Sequence, residues 1–362
     1  MSQRRRIVTA LALLLSVGTA AADDLVREDF RIPMAGAGPQ GLEAVLVRPV
    51  GVGRFPLAVI NHGSPRSAED RPGMTPLGML PVAQEFARRG WAAVTFMRRG
   101  YGGSGGDFVE GLGNCDSPDY VRSGTTSAAD LRTAIVYLSK RADIDAAHIL
   151  SAGISAGGFA TVALTADPPP GLVAALNFAG GRGSQAADTV CRPEKLVDAY
   201  AAFGKRSRVP MLWVYAENDH FFSPALAKRF NDAFVGAGGR ATFIMEPPFG
   251  ADGHLLFSAT GIPRWTPLVD GFLKSQGLVF RQSPLPVAQT AMKSPTQLND
   301  SGRKAFADYL VSPPHKAFAV SPDGHFGWRT GRRSVEEAKS GAVGNCKDPA
   351  CRVVVVDDEP VR

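Results

Sequence analysis

The sequence predicts an α/β chain: a doubly wound, mostly parallel sheet with helices on both faces, and a small α+β domain appended at its C-terminal end. Three observations carry this. Short apolar runs alternate with helix-patterned segments from Phe55 to Ser275. One junction, His148 to Thr161, reads as strand, tight turn and helix, with Gly153-Ile154-Ser155-Ala156-Gly157 at the turn. Beyond Gln297, after a stretch containing Pro, Ser and Thr, the chain changes character.

Residues 1–22 read as an export signal: Arg4, Arg5 and Arg6 form a charged head, Ile7 to Val17 an apolar stretch, and Ala20-Ala21-Ala22 a small-residue cleavage site. The apolar stretch falls short of the ~20 residues that a spanning helix needs. No stable membrane insertion is therefore expected after cleavage, and a periplasmic or secreted bacterial location is. Cleavage takes three arginines from 40 basic residues and nothing from 34 acidic ones, so the formal charge falls from +6 to +3. So balanced a chain, with its basic residues scattered, does not point to nucleic-acid binding.

Residues 23–280 form the large domain. Arg27 to Met34 and Leu42 to Pro49 are expected as antiparallel strands. Phe55 to Asn61 is a buried strand running into His62-Gly63-Ser64-Pro65, followed by a helix over Leu77 to Arg89 and a strand over Trp91 to Phe96. Gly100 to Gly105 then matches G-x-G-x-x-G, but a dinucleotide site needs a helix directly behind it. The adjoining stretch, GDFVEGLGNCDSPDY, has no helical period, and the next helix is expected from Ser123 to Arg141. Helices over Ala156–Ala166, Pro224–Gly236 and Pro263–Ser275 alternate with strands over Pro210–Ala216 and Ala241–Glu246. An insertion between Gly180 and Arg208 contains a helix-like stretch, Pro193 to Phe203. Ser223-Pro224 supplies a cap and first turn for its helix.

Residues 281–297 read as a linker and 298–362 as the small domain. There SGRKAFADYL is expected as a helix, HKAFAVS as a strand, SVEEAKSGAV as a helix and CRVVVVDD as a closing strand. Ser334 followed by Glu337 is a capping box. Val353 to Val356 is uniformly apolar and is expected to be buried. Asp323-Gly324-His325 repeats Asp252-Gly253-His254 but has no strand–turn–helix junction beside it, and is expected to be a turn.

The turn at Ser155 is a nucleophile-elbow pattern, G-x-S-x-G. A serine hydroxyl is a poor nucleophile at neutral pH, so the pattern calls for an acid and a histidine downstream, in that order. Asp219, just past an apolar strand, is the better acid, and Glu217 is the fallback. His254 lies in the turn-rich loop after the next strand. Oxyanion donors are expected from the backbone N–H of Ala156 and of Ser64, with Gly63 the runner-up for the second. His62 is expected to brace this loop.

The pieces NHGSP, RRGYGGSGG, GISAGG, AENDH and DGH lie within residues 40–277, about two thirds of the chain. In these the chain resembles an α/β-hydrolase of the dienelactone-hydrolase and prolyl-oligopeptidase-like group. Dienelactone hydrolases proper carry cysteine as nucleophile, whereas this position is Ser155, which favours ordinary ester hydrolysis. In similar hydrolases the RGYGxS loop lines the active-site rim, so the resemblance allows Arg99 and Tyr101 as substrate contacts, but bracing the loop is the role expected of them.

An oxidising compartment suggests two disulfides from four cysteines. Cys346 and Cys351 are local partners, which leaves Cys115 with Cys191; the alternative is four free thiols. No zinc-type spacing occurs, and no metal or organic cofactor is needed. The expected function is serine-dependent cleavage of carboxylic esters. Its alternatives are a peptidase acting on short peptides and a non-catalytic envelope binding protein. The expected partner is a small ester or short peptide; the partner of the C-terminal domain is left open.

Overall fold

A computed structural model describes residues 24–286 and 292–361. The export signal expected over residues 1–22 lies outside the described residues. The chain opens with β1 (Leu25–Ile32), β2 (Leu42–Pro49), β3 (Phe55–Asn61), α1 (Leu80–Arg88), β4 (Ala92–Phe96) and α2 (Tyr120–Leu138). It continues through β5 (Ile144–Ile154), α3 (Ala156–Thr165), β6 (Leu172–Phe178), a hairpin of β7 (Ser184–Ala186) and β8 (Thr189–Val190), and α4 (Pro193–Gly204). Then come β9 (Met211–Ala216), α5 (Pro224–Gly236), β10 (Ala241–Glu246) and α6 (Ile262–Ser275).

Eight of these strands form one sheet in the order β1-β2-β4-β3-β5-β6-β9-β10. β1–β2 and β2–β4 are antiparallel, and the remaining pairs are parallel. Parallel strands covered on both faces are apolar along their length, as FPLAVIN in β3 shows. Successive side chains point to opposite faces. Leu57 and Val59 pack with α2, α3, α4 and α5, while Ala58 and Ile60 pack with α1 and α6.

Three details differ from expectation in this part of the chain. α2 starts at Tyr120 rather than Ser123, because the Asp119 side chain accepts the Arg122 N–H at 2.9 Å and caps the helix early. Ser223 takes the N-cap position of α5, but its hydroxyl makes no capping bond. The strand LVAALNF, which becomes β6, is not among the expected elements; apolar but for Asn177, it carries no period to separate strand from buried helix.

The C-terminal region contains α7 (Asp300–Leu310), β11 (Ala317–Val320), β12 (Phe326–Arg329), α8 (Val335–Cys346), β13 (Arg352–Val356) and β14 (Glu359–Pro360). Its strands form a separate antiparallel sheet in the order β12-β11-β13-β14. Phe318 and Val320 face α7 through Phe306 and Tyr309, and Ala317 and Ala319 face α8 through Ala338 and Ala342. Ser334 caps α8 by accepting the Glu337 N–H at 3.2 Å. Asp323-Gly324-His325 lies in the turn between β11 and β12, with Gly324 at φ 85°.

The expected burial of Val353–Val356 is corrected: only Val355 is buried, and its three neighbours are half-buried. β13 is flanked on its outer side by the two-residue β14 alone, so the sheet covers it incompletely there. The region is tied to the segment between β3 and α1 by Arg333, which donates to Met74 O at 2.9 Å, and by Thr75 Oγ1, which donates to Gly331 O at 3.0 Å.

Candidate active site

Ser155 follows β5 directly and stands at φ 55°, ψ −124°. A non-glycine residue held there costs about 1–3 kcal/mol, and it persists only where its surroundings fix it. The surroundings do so. The Ser155 N–H donates to Phe178 O at 3.0 Å, and its carbonyl accepts from Phe159 N–H at 2.9 Å and Gly181 N–H at 3.1 Å. The two flanking glycines are steric requirements. A Cβ on Gly153 would lie 2.3 Å from Gly157 O, and one on Gly157 would lie 2.3 Å from Asn61 O.

The loop after β3 is pressed against this turn: a Cβ on Gly63 would come within 3.1 Å of Ser155 Cβ. Among the described residues no acceptor pairs with the backbone N–H of Ser64 or of Ala156, the first residue of α3. Both residues line one cavity with Ser155. Free N–H groups at a helix N-terminus favour an anion.

Parallel register brings the acid and the histidine to the same edge. Ile154 pairs with Phe178, Phe178 with Val214, and Ala216 with Glu246, so the loops after β5, β9 and β10 leave one end of the sheet. Asp219 and His254 lie in the last two of these loops, both buried. His254 Nδ1 is 3.1 Å from each Asp219 carboxylate oxygen. Asp219 Oδ1 also accepts the N–H groups of Phe221 at 2.7 Å and Phe222 at 3.0 Å, which fixes the carboxylate. Phe221 stacks on the His254 ring at 3.9 Å between centroids. Asp219 is the His254 hydrogen-bond partner, not the fallback Glu217. No hydrogen bond joins Ser155 Oγ to the ring; such bonds are often long before substrate arrives.

His62 sits beneath the loop after β3 that carries Ser64. Its Nε2 accepts the Arg98 N–H at 3.1 Å, and Nδ1 lies 2.6 Å from Gly63 O, so Nδ1 carries the proton. Burial first, and the Arg98 charge second, hold its pKa well below the ordinary imidazole value, which keeps the ring neutral. Arg98 Nη1 donates to His62 O at 2.8 Å, and Nε donates to Glu110 Oε2 at 2.8 Å.

Glu110 is the hub of this brace. It pairs with Arg98 and, at 2.5 Å, with Arg182, and it accepts from Ser127 Oγ at 2.6 Å and from Tyr101 Oη. Burial alone would raise its pKa, but Arg182 and Arg98 together hold it well below the usual carboxylate range.

The cavity beside Ser155 has a volume of about 300 Å³. Its wall includes Arg66, Arg71, Phe108, Arg182, Phe221 and Phe222, along with the Cys115–Cys191 disulfide. Arg99 and Tyr101 are not on that wall. Tyr101 is fully buried with its hydroxyl on Glu110 and 2.8 Å from Ser64 Oγ. Arg99 is bound to Asp130, through Nε and through its backbone N–H, each at 2.8 Å. Both residues brace the loop. Cys346 is bonded to Cys351.

The X-Pro dipeptidyl-peptidase (S15) family matches residues 38–203, a span that contains Ser155 and ends before Asp219 and His254. The acylaminoacyl peptidase of Pyrococcus horikoshii superposes with a TM-score of 0.52 at 17% identity, covering 73% of this chain and 43% of that one. An acetyl xylan esterase from Paenibacillus sp. R4 superposes with a TM-score of 0.50 at 16% identity, covering 72% of this chain and 86% of that one. No curated protein sequence matches the chain. The chain has the α/β-hydrolase fold.

The sequence analysis did not single out Glu110, Arg98, Arg182 or the two phenylalanines after Asp219. Phe221 and Phe222 were within reach, since they adjoin the candidate acid. Glu110 and Arg182 carry no local signal, because 72 residues separate the two partners. Among the described residues no group of three His, Cys, Asp or Glu side chains converges as a metal site would require. Nor is any described helix long and apolar enough to cross a membrane.

Proposed function

We propose that this α/β-hydrolase is an exported serine hydrolase that cleaves carboxylic esters through an acyl-enzyme. The observation that carries the reading is the buried Asp219–His254 pair, set at the same sheet edge as the strained Ser155. His254 Nε2 takes the Ser155 proton as Oγ attacks the ester carbonyl. Asp219 holds the ring with its proton on Nδ1 and stabilises the imidazolium that forms. The N–H groups of Ala156 and Ser64 receive the oxyanion; losing one such donor typically costs about 100- to 1,000-fold in rate. His254 then gives its proton to the leaving alcohol, and water releases the acyl group by the same route. The two disulfides support an oxidising compartment.

A second reading, a peptidase acting on short peptides, is favoured by the S15 match over residues 38–203. The two share the acyl-enzyme and differ in the bond cleaved.

Fluorophosphonate labelling of the mature protein, read by intact mass and peptide mapping beside Ser155→Ala, tests the chemistry. Labelling of Ser155 that vanishes in the variant is the expected result. Failure of the folded wild-type protein to label would remove the nucleophile and leave a binding role. A panel of p-nitrophenyl esters and X-Pro p-nitroanilides then separates esterase from peptidase.

A further inference from the structure

The cavity wall beside Ser155 carries three cationic side chains, Arg66, Arg71 and Arg182, and no carboxylate. Arg66 and Arg71 form no ion pair among the described residues. Instead they stack on Phe221 and Phe108, at 3.6 and 3.7 Å from the ring centroids. Stacking fixes the guanidinium planes; Arg66 also donates from Nε and Nη2 to Ser184 Oγ, at 3.1 and 3.0 Å, and from Nη2 to His220 O at 3.3 Å.

Arg182 differs from both because it is only 8% exposed. Its Nη2 donates to Glu110 Oε1 at 2.5 Å, but its Nε is buried and has no hydrogen-bond partner. Glu110 is shared with Arg98, so one carboxylate faces two guanidinium groups and the buried cluster keeps a net positive charge. A buried donor without an acceptor is costly, and a charged one more so. Native structures retain such groups chiefly where they have a task.

We propose that Arg182, positioned by Glu110, is a specificity-determining residue that binds a carboxylate on the substrate. The acyl-enzyme chemistry above then acts on esters bearing a free acid group. This rests on the ester-hydrolase reading, which it deepens. The physical reason is complementarity. A carboxylate in the cavity that Arg182 lines neutralises the excess charge of the Arg182 cluster, and Arg66 and Arg71 add attraction. A neutral ester of the same shape leaves the buried cation uncompensated, so the site discriminates between the two.

The test uses two matched ester pairs, so that the acid can sit on either side of the scissile bond. One is mono-p-nitrophenyl succinate against p-nitrophenyl butyrate. The other is para-acetoxybenzoate against para-acetoxybenzamide. The full mature chain should favour the acid member of at least one pair about tenfold or more in kcat/KM, the scale of one charge-assisted hydrogen bond. That preference should shrink as salt is added. Arg182→Gln should collapse the ratio, whereas Arg132→Gln, which removes an equal charge at the surface, should keep it. A wild-type ratio near one in both pairs, or a ratio that survives Arg182→Gln, overturns the proposal.

If Arg182→Gln does not fold, protection decides. Succinate should slow fluorophosphonate labelling of wild-type protein and succinamide should not; equal effects overturn the proposal. If wild-type protein neither labels nor turns over, the hydrolase reading has failed, and calorimetry still judges Arg182. Succinate binding that Arg182→Lys weakens would support the carboxylate site, and the absence of binding would reject it.

Discussion

His254 Nδ1 lies equidistant, at 3.1 Å, from both carboxylate oxygens of Asp219, although 35 residues separate the pair. The acid therefore faces the ring with both oxygens while Oδ1 is also held by two backbone N–H groups. A carboxylate so fixed dictates the imidazole tautomer. Asp219→Asn should keep the fold and lower kcat by roughly 10⁴-fold, the loss seen when a triad acid becomes an amide. Steady-state turnover of a p-nitrophenyl ester, with circular dichroism as the folding control, measures this. Turnover close to wild type would remove Asp219 from the mechanism.

Gly157 is packed against backbone on two sides, since a Cβ there would lie 2.3 Å from Asn61 O and 2.5 Å from His62 O. Neither atom is the end of a flexible side chain, so the strand-end loop would have to shift. Gly157→Ala should destabilise by at least the roughly 1–3 kcal/mol of an overpacked core. It should also lower fluorophosphonate reactivity, because the same shift displaces the oxyanion loop. Unfolding in urea and the labelling rate test this together; an unchanged midpoint would show that the turn has slack.

Two buried groups make stability depend on acid. Glu110 titrates well below its ordinary value of 4.5 when folded, and His62 well below 6.5. In the unfolded chain both return to those values and bind more protons than the folded protein does, so stability rises with pH across each window. The contribution of His62 is complete above about pH 6.5 and is lost as pH falls below it. That of Glu110 is complete above about 4.5 and is lost below that. Glu110→Gln should be less stable at neutral pH, since breaking a buried ion pair costs about 3–5 kcal/mol. It should also show a flatter decline below pH 4.5. Denaturant midpoints across pH test this, and an equally steep acid limb in the variant would contradict it.

The disulfides differ in the length of chain they close. Cys115–Cys191 spans 76 residues and Cys346–Cys351 spans 5. On the chain-entropy account the first contributes about 4–5 kcal/mol and the second about 2. The Cys115→Ser, Cys191→Ser pair of substitutions should therefore cost more stability than the corresponding pair at Cys346 and Cys351. Because the first bridge lies in the cavity wall, only its loss should raise KM. Equal losses of stability, with KM unmoved, would mean the bridge is not a wall support.

The features legible along the chain were local or periodic. The apolar runs of β3, β9 and β10 and the helix between Pro224 and Gly236 could be read because period and capping residues write an element into a few neighbouring positions. Ser155, Asp219 and His254 could be singled out because each lies in the segment that follows a strand. In a parallel sheet those ends share one edge, so chain order already implied proximity.

Which polar residues do the bracing, and which face the cavity, emerged only with the assembled fold. Tyr101 and Arg99 sit in a glycine-rich loop whose sequence does not name their partners: Tyr101 turns inward to Glu110 and Arg99 to Asp130. Arg182 reads as one arginine in a turn, and becomes a cavity residue because Glu110 and Arg98 are brought beneath it by different connections. A strand or a capped helix is encoded by its neighbours. A buried charge is encoded by partners far along the chain, whose pairing exists only once the sheet has closed and excluded water.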